Sequence, residues 1–184
     1  MAGFKTKVTP EIEKLTDICR DNTSLDLSLY AKYDVKRGLR DINGKGVLAG
    51  LTQVSNVQAT KMVDGKEVPC AGKLSYRGYD IKDLTRGFIQ DDRYGFEEVA
   101  YLLLFGKLPD KQQLVDFTEL LANQRSLPTN FVRDVIMKAP SKDIMNGLSR
   151  SVLTLYSYDH NPDDTSLPNV LRQCLNLISV FPLL

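Results

Sequence analysis

Residues Phe96-Glu-Glu-Val-Ala-Tyr-Leu-Leu-Leu-Phe105 constrain this chain most strongly. Read as a helix, Phe96, Val99, Ala100 and Leu103 make one stripe, while Leu102, Leu104 and Phe105 fill the other sides. A helix apolar nearly all round has to be buried in a large core or in an interface. Gly106 ends it with a left-handed cap, and Pro109 follows as a second stop. A chain of 184 residues can bury such a helix, as one domain or two small ones.

The rest of the chain supplies helical partners. Thr9-Pro10-Glu11 is a helix start, with a capping hydroxyl, proline at the first helical position and acid near the positive dipole end. Ile12, Leu15 and Ile18 give that helix a narrow apolar stripe, and residues 25–30 are weakly helical. Lys36–Gly46 reads as a loop. Its Gly38 and Gly44 are one residue too far apart for a phosphate-binding loop, and Gly46 stands where a hydroxyl is required. Lys36, Arg37 and Arg40 remain candidates for a looser anion contact, against a solvated basic loop. Residues 51–76 predict a β-hairpin, with alternation through Val57, Ala59, Lys61 and Val63 and a primed turn at Asp64-Gly65. Pro69 confines its strand to an edge or a break, and a lone hairpin needs helices beneath it.

Asp80 caps a short helix that Gly87 stops. Asp110 caps the helix carrying Leu114, Phe117 and Leu121. Phe131, Val135 and Ile136 predict a short helix to Ala139. Ser141 caps a long helix with Ile144, Leu148, Val152 and Leu155 inward. A last helix starts near Ser166-Leu-Pro168, with Val170, Cys174 and Ile178 as its stripe. The expected fold class is mainly α, with one small β-hairpin near residues 51–76. The apolar ending Leu177–Leu184 suggests a chain cut from something longer.

Few residues carry chemistry. The net charge is +1 and the basic residues are scattered, which argues against nucleic-acid and membrane partners. Cys19, Cys70 and Cys174 are odd in number and far apart. That argues against a disulfide framework or a zinc site, makes each more a core filler than a nucleophile, and fits the cytoplasm. No apolar run reaches the ~20 residues of a membrane span, and no signal peptide is visible. His160, the one histidine, lies near Asp159, Asp163 and Asp164, where a metal or acid–base site competes with a solvated loop, the favoured reading. Glu97 and Glu98 point about 100° apart and share no face. Asp91 and Asp92 read as loop acids. Tyr76, Tyr79, Tyr94, Tyr101, Tyr156 and Tyr158 read as packing and interface residues.

Two runs resemble the citrate synthase family: Tyr76-Arg-Gly-Tyr-Asp-Ile-Lys-Asp-Leu84, and Phe96 through Gly106-Lys-Leu-Pro109. Gly38-Leu-Arg-Asp41 is similar to the family's Gly-x-Arg-Gly, with Asp41 in place of the second glycine. Met145, Leu148, Val152 and Leu155 match a family helix. The resemblance covers roughly residues 25–184.

The resemblance implies a citrate-synthase-like multi-helical fold, with residues 1–35 as an N-terminal helical arm. Residues 36–184 would be the N-terminal part of the large domain, truncated in its last helix. It implies a homodimer that condenses acetyl-CoA with oxaloacetate to give citrate and CoA, through an aspartate base and two histidines. Acetyl-CoA is then a substrate, and no cofactor or metal is implied. The family's Gly-His-Gly, Pro-Gly-x-Gly-His and Asn-x-Asp motifs do not occur in this sequence. Catalytic residues are therefore expected to be none in this chain, and the chain is expected to be inactive alone. The one site residue carried over is Arg40, matched to an arginine near the CoA phosphates. A 2-methylcitrate synthase portion and a non-catalytic helical interaction module stay open as alternatives. Self-association is expected through apolar faces of the last helix and of residues 96–105.

Overall fold

The computed structural model describes residues 4–36, 38–40, 44 and 46–184. The chain divides into two compact units, Cys19–Pro109 and Met1–Ile18 with Asp110–Leu184. Helix α1, Pro10–Thr23, passes from one to the other, started by the Thr9 hydroxyl accepting from the Ile12 N–H at 3.4 Å.

The first unit holds the short α2, Ser28–Lys32, and then the hairpin. Strands β1, Ser55–Val63, and β2, Lys66–Tyr76, pair antiparallel around the expected turn, with Asp64 at φ 50° and Gly65 at φ 74°. A register shift falls between Gln58 and Thr60, where Pro69 sits opposite, so the missing proline N–H coincides with an irregular rung. A second turn adds a strand that was not expected. Arg77 at φ 48° and Gly78 at φ 89° bring Tyr79 back opposite Tyr76. Two consecutive positive φ angles match the right-handed twist of the strands they join. The result is a three-stranded antiparallel sheet in the order β1-β2-β3, with β3 at Tyr79–Asp80.

The hairpin does not lie buried on helices as expected. Every residue of β1 is exposed, including Val57 at 74%. Lys61 sits within the apolar set, and the register shift breaks the two-residue alternation that would make one buried face.

Asp80 caps α3, Ile81–Gln90, by accepting from the Lys82 N–H at 2.9 Å. That helix runs through Gly87 rather than stopping there; it ends at Gln90 with Asp91 as its C-cap, and Asp92 just beyond takes a left-handed conformation. Helix α4, Phe96–Phe105, ends at Gly106 with φ 75°. Its buried residues are Tyr101, Leu102 and Phe105, with the two rings 4.5 Å apart, while Phe96 is exposed. The expected stripe was thus the wrong side, because a helix apolar all round offers periodicity no face to choose.

The second unit is helical. A capping box starts α5, Lys111–Gln124. The Asp110 carboxylate accepts from the Gln113 N–H at 2.8 Å, and the Gln113 side-chain Oε1 accepts from the Asp110 N–H at 3.0 Å. Phe117 and Leu121 are buried as expected. Where a short ordinary helix was expected, Val132–Ile136 form a π-helical turn. Helix α6, Ile144–Tyr156, is capped by Asp143 rather than Ser141, whose hydroxyl accepts from the Asp143 N–H instead. Its expected stripe fails at Ile144, which is 81% exposed, and the buried side carries Ser151 and Leu155.

Helix α7, Leu167–Val180, precedes a 3-10 turn at Phe181–Leu183. The expected stripe is displaced here too: Val170 is exposed, and Leu171, Leu175 and Val180 are buried. Phe131, Leu155 and Val180 form a core cluster against which Phe4, Leu127 and Leu177 pack. The Phe131 and Tyr158 rings meet edge-on at 5.9 Å. No helix among the described residues is long and apolar enough to cross a membrane.

Candidate functional site

Three places could carry function. The first is the Tyr76–Gly78 turn. The Arg77 guanidinium donates through Nε and Nη2 to the Leu103 carbonyl at 3.3 and 2.8 Å. Leu103 lies in the last turn of α4, where carbonyls lack helical partners. Arg77 therefore ties the turn to a helix end and serves the scaffold. Asp80, beside it, is used as a cap and lies 3.8 Å from the Lys73 ammonium.

The second is the loop that carries Arg40. Arg40 and Gly46 form an isolated antiparallel bridge, and the Arg40 Nη1 donates to the Gly44 carbonyl at 2.9 Å. This closes a small loop with the Arg40 side chain exposed. Lys36 is paired with Asp34 at 2.6 Å. Arg37 and Asp41 lie outside the described residues.

The third is the loop expected to be solvated: His160, Asp163 and Asp164 are exposed, but Asp159 is drawn inward onto a buried arginine. Arg172 is buried at 1% exposure, on the inward face of α7. Its Nη2 donates to both Asp159 oxygens at 2.9 and 2.7 Å, its Nε to Asn169 at 2.9 Å, and its Nη1 to the Lys5 carbonyl at 3.4 Å. Asn169 donates onward to the Asn161 and Asp164 carbonyls at 2.9 and 2.7 Å. Burial works against the charge on Asp159. The Asn161 N–H, the Arg172 guanidinium and the Gln173 amide outweigh it and hold the carboxyl below its ordinary range. An arginine whose three nitrogens all meet protein acceptors is built to fix a loop, not to meet a substrate.

The acids of this loop therefore do not converge. Asp163 accepts from the Tyr156 hydroxyl at 2.9 and 3.0 Å, which pushes the phenol pKa up. Asp164 accepts from the Ser166 N–H at 2.9 Å. His160 is exposed. Among the described residues no group of three or more His, Cys, Asp or Glu side chains could hold a metal ion. Cys19, Cys70 and Cys174 are half-buried and not disulfide-bonded. Glu98 forms an ion pair with Arg93 at 2.6 Å, and Arg93 also reaches Asp91 at 3.1 Å, so these acids hold a loop to the start of α4.

Sequence reasoning missed Arg172, Asn169 and Asn176. The signal was there as spacing: Asn169, Arg172, Asn176 and Ser179 recur at helical intervals within an apolar helix, and all four are buried. Apolar residues recur at the same helical intervals on this helix, Val170, Cys174 and Ile178 among them, so spacing alone does not say which set faces inward.

Comparison with known proteins agrees with the architecture. The chain is 37% identical over 106 residues to a 2-methylcitrate synthase of Corynebacterium glutamicum, covering 58% of this chain and 22% of that protein. It is 31% identical over 118 residues to a citrate synthase of Saccharolobus solfataricus, covering 64% and 28%. It is 35% identical over 132 residues to a citrate synthase of Haloferax volcanii, covering 71% and 29%. The chain thus spans less than a third of the length of these relatives. The family described as citrate synthase, C-terminal domain, matches residues 39–184. With that match running over most of its length, the chain belongs to the citrate synthase family.

Proposed function

We propose that these residues form the scaffold portion of a citrate synthase, the enzyme that condenses acetyl-CoA with oxaloacetate and water to give citrate and CoA. The observation that carries the reading is the family match over residues 39–184. The 184-residue chain is catalytically silent on this reading, because the sequence contains one histidine, in none of the family's catalytic motifs. Arg40 contributes a contact to the CoA phosphates, for which its exposed guanidinium is suited. A second reading, 2-methylcitrate synthase, is supported by relatives of that name at 37% and 41% identity. The two activities differ by one methylene in the acyl group, so contact with the phosphates alone does not distinguish them.

Calorimetric titration tests the Arg40 assignment. Free CoA, acetyl-CoA and propionyl-CoA should bind equally, with affinity falling as salt rises and falling about tenfold in Arg40→Ala. Binding that ignores Arg40→Ala would overturn it. Self-association through the last helix and residues 96–105 is the further expectation, supported by the exposed apolar side chains of Phe96, Val170 and Phe181 there. Light scattering should report a mass above 20.7 kDa; a monomer at high concentration would remove this part of the reading.

A further inference from the structure

A cleft of about 740 Å³ opens between the start of the chain and helix α5, both within the second unit. That is the size of sites that enclose drug-sized ligands. Helix α5 lines it with Asp116, Glu119, Leu120 and Gln124, and the facing segment with Phe4, Lys5 and Lys7. One wall thus carries carboxylates and the other ammonium groups, and each adds one apolar side chain.

The two walls do not neutralise each other. Asp116 accepts from the Gln112 Nε2 at 2.7 Å, and Glu11, also in the lining, is engaged by the Thr9 hydroxyl. Among the described residues no ion pair holds Lys5, Lys7 or Glu119. Gln124 is the most deeply buried residue of the lining, at 5% exposure, and its Oε1 has no hydrogen-bond partner among the described residues. A buried acceptor left unmade is unfavourable, so a donor is wanted at this place. The last torsion of a glutamine is broad, and a small turn brings Oε1 to the cleft.

The charges select the ligand. An anion would bring only lone pairs to Gln124 and Glu119. A simple cation would suit both and face Lys5 and Lys7. A ligand with an ammonium at one end and a carboxylate at the other meets both walls. We propose that this cleft binds a dipeptide-sized zwitterion with apolar side chains. Its ammonium lies on Gln124 and Glu119, its carboxylate on Lys5 and Lys7, and its side chains on Phe4 and Leu120.

Calorimetric titration of the full chain with leucyl-leucine should show saturable binding below about 10 mM. N-acetyl-leucyl-leucine lacks the ammonium and leucyl-leucinamide lacks the carboxylate, and each should bind about tenfold more weakly. Glu119→Gln should weaken leucyl-leucine about tenfold and leave the acetylated peptide unchanged. Lys5→Ala combined with Lys7→Ala should weaken leucyl-leucine and leave the amide unchanged. Gln124→Leu should abolish binding of leucyl-leucine, with circular dichroism checking that the variant is folded. Absence of binding by leucyl-leucine overturns the proposal. So does equal binding of the three peptides, or binding indifferent to the Glu119 and lysine substitutions. Glu119, Lys5 and Lys7 are exposed, so those variants decide the matter even where Gln124→Leu does not fold.

Discussion

The Tyr76–Gly106 segment and the Asp159–Ser179 segment hold their elements in place by opposite means. In the first, the chain is directed by backbone chemistry acting over a few residues: a positive-φ turn at Arg77-Gly78, a cap at Asp80 and a left-handed stop at Gly106. In the second, one buried cation gathers groups from distant parts of the sequence, with Lys5 and Asp159 meeting Arg172 beside its helix neighbour Asn169. Local devices are each worth about 1 kcal/mol and can fail singly. A buried charged hub is all or nothing, since removing one partner strands the other.

The largest effect should follow Asp159→Ala, which leaves Arg172 buried without its carboxylate. Urea unfolding should show a loss of about 3–5 kcal/mol. A loss under about 1 kcal/mol would reduce the hub to an ordinary surface pair. The pH dependence sharpens this. The folded-state pKa of Asp159 is depressed, so the folded chain binds fewer protons than the unfolded one as pH falls. Its contribution is complete above about pH 5 and is lost below about pH 4, through the folded value. Asp159→Asn should therefore flatten the acid limb of the stability curve. Glu11, Asp26 and Asp134 are also depressed but exposed, and remain in both proteins.

Among the local devices, Gly106→Ala should cost most, about 2 kcal/mol. The added Cβ would adopt φ 75° and meet the Asn22 Cβ and carbonyl oxygen at 3.0 Å. Arg77→Ala should cost about 1 kcal/mol through loss of the bonds to Leu103. A cost as large as that of Asp159→Ala would erase the contrast between the two segments. Asp110→Ala, which breaks the α5 capping box, should also cost about 1 kcal/mol. Thermal unfolding in parallel with urea checks all three.

The same contrast explains what could be read beforehand. Turns and caps act within about four residues, so Asp64-Gly65, Asp80, Gly106 and Asp110 were legible, although the Arg77-Gly78 turn was not expected and α6 is capped at Asp143 rather than Ser141. Faces were harder. Ile144 satisfies helical spacing as well as Leu155 does, yet one is exposed and the other buried. Spacing reports that a face exists, not which neighbour it meets. Least legible was the hub, because nothing around Asp159 in sequence announces an arginine thirteen residues on. Of the site residues, Arg40 came from family resemblance, and its loop carries the short bridge to Gly46.

Free-thiol release from acetyl-CoA and oxaloacetate by the purified 184-residue chain tests most directly whether these residues are scaffold alone. No release above the protein-free control is predicted. Release that rises in proportion to protein concentration would contradict it and place catalytic groups within Met1–Leu184.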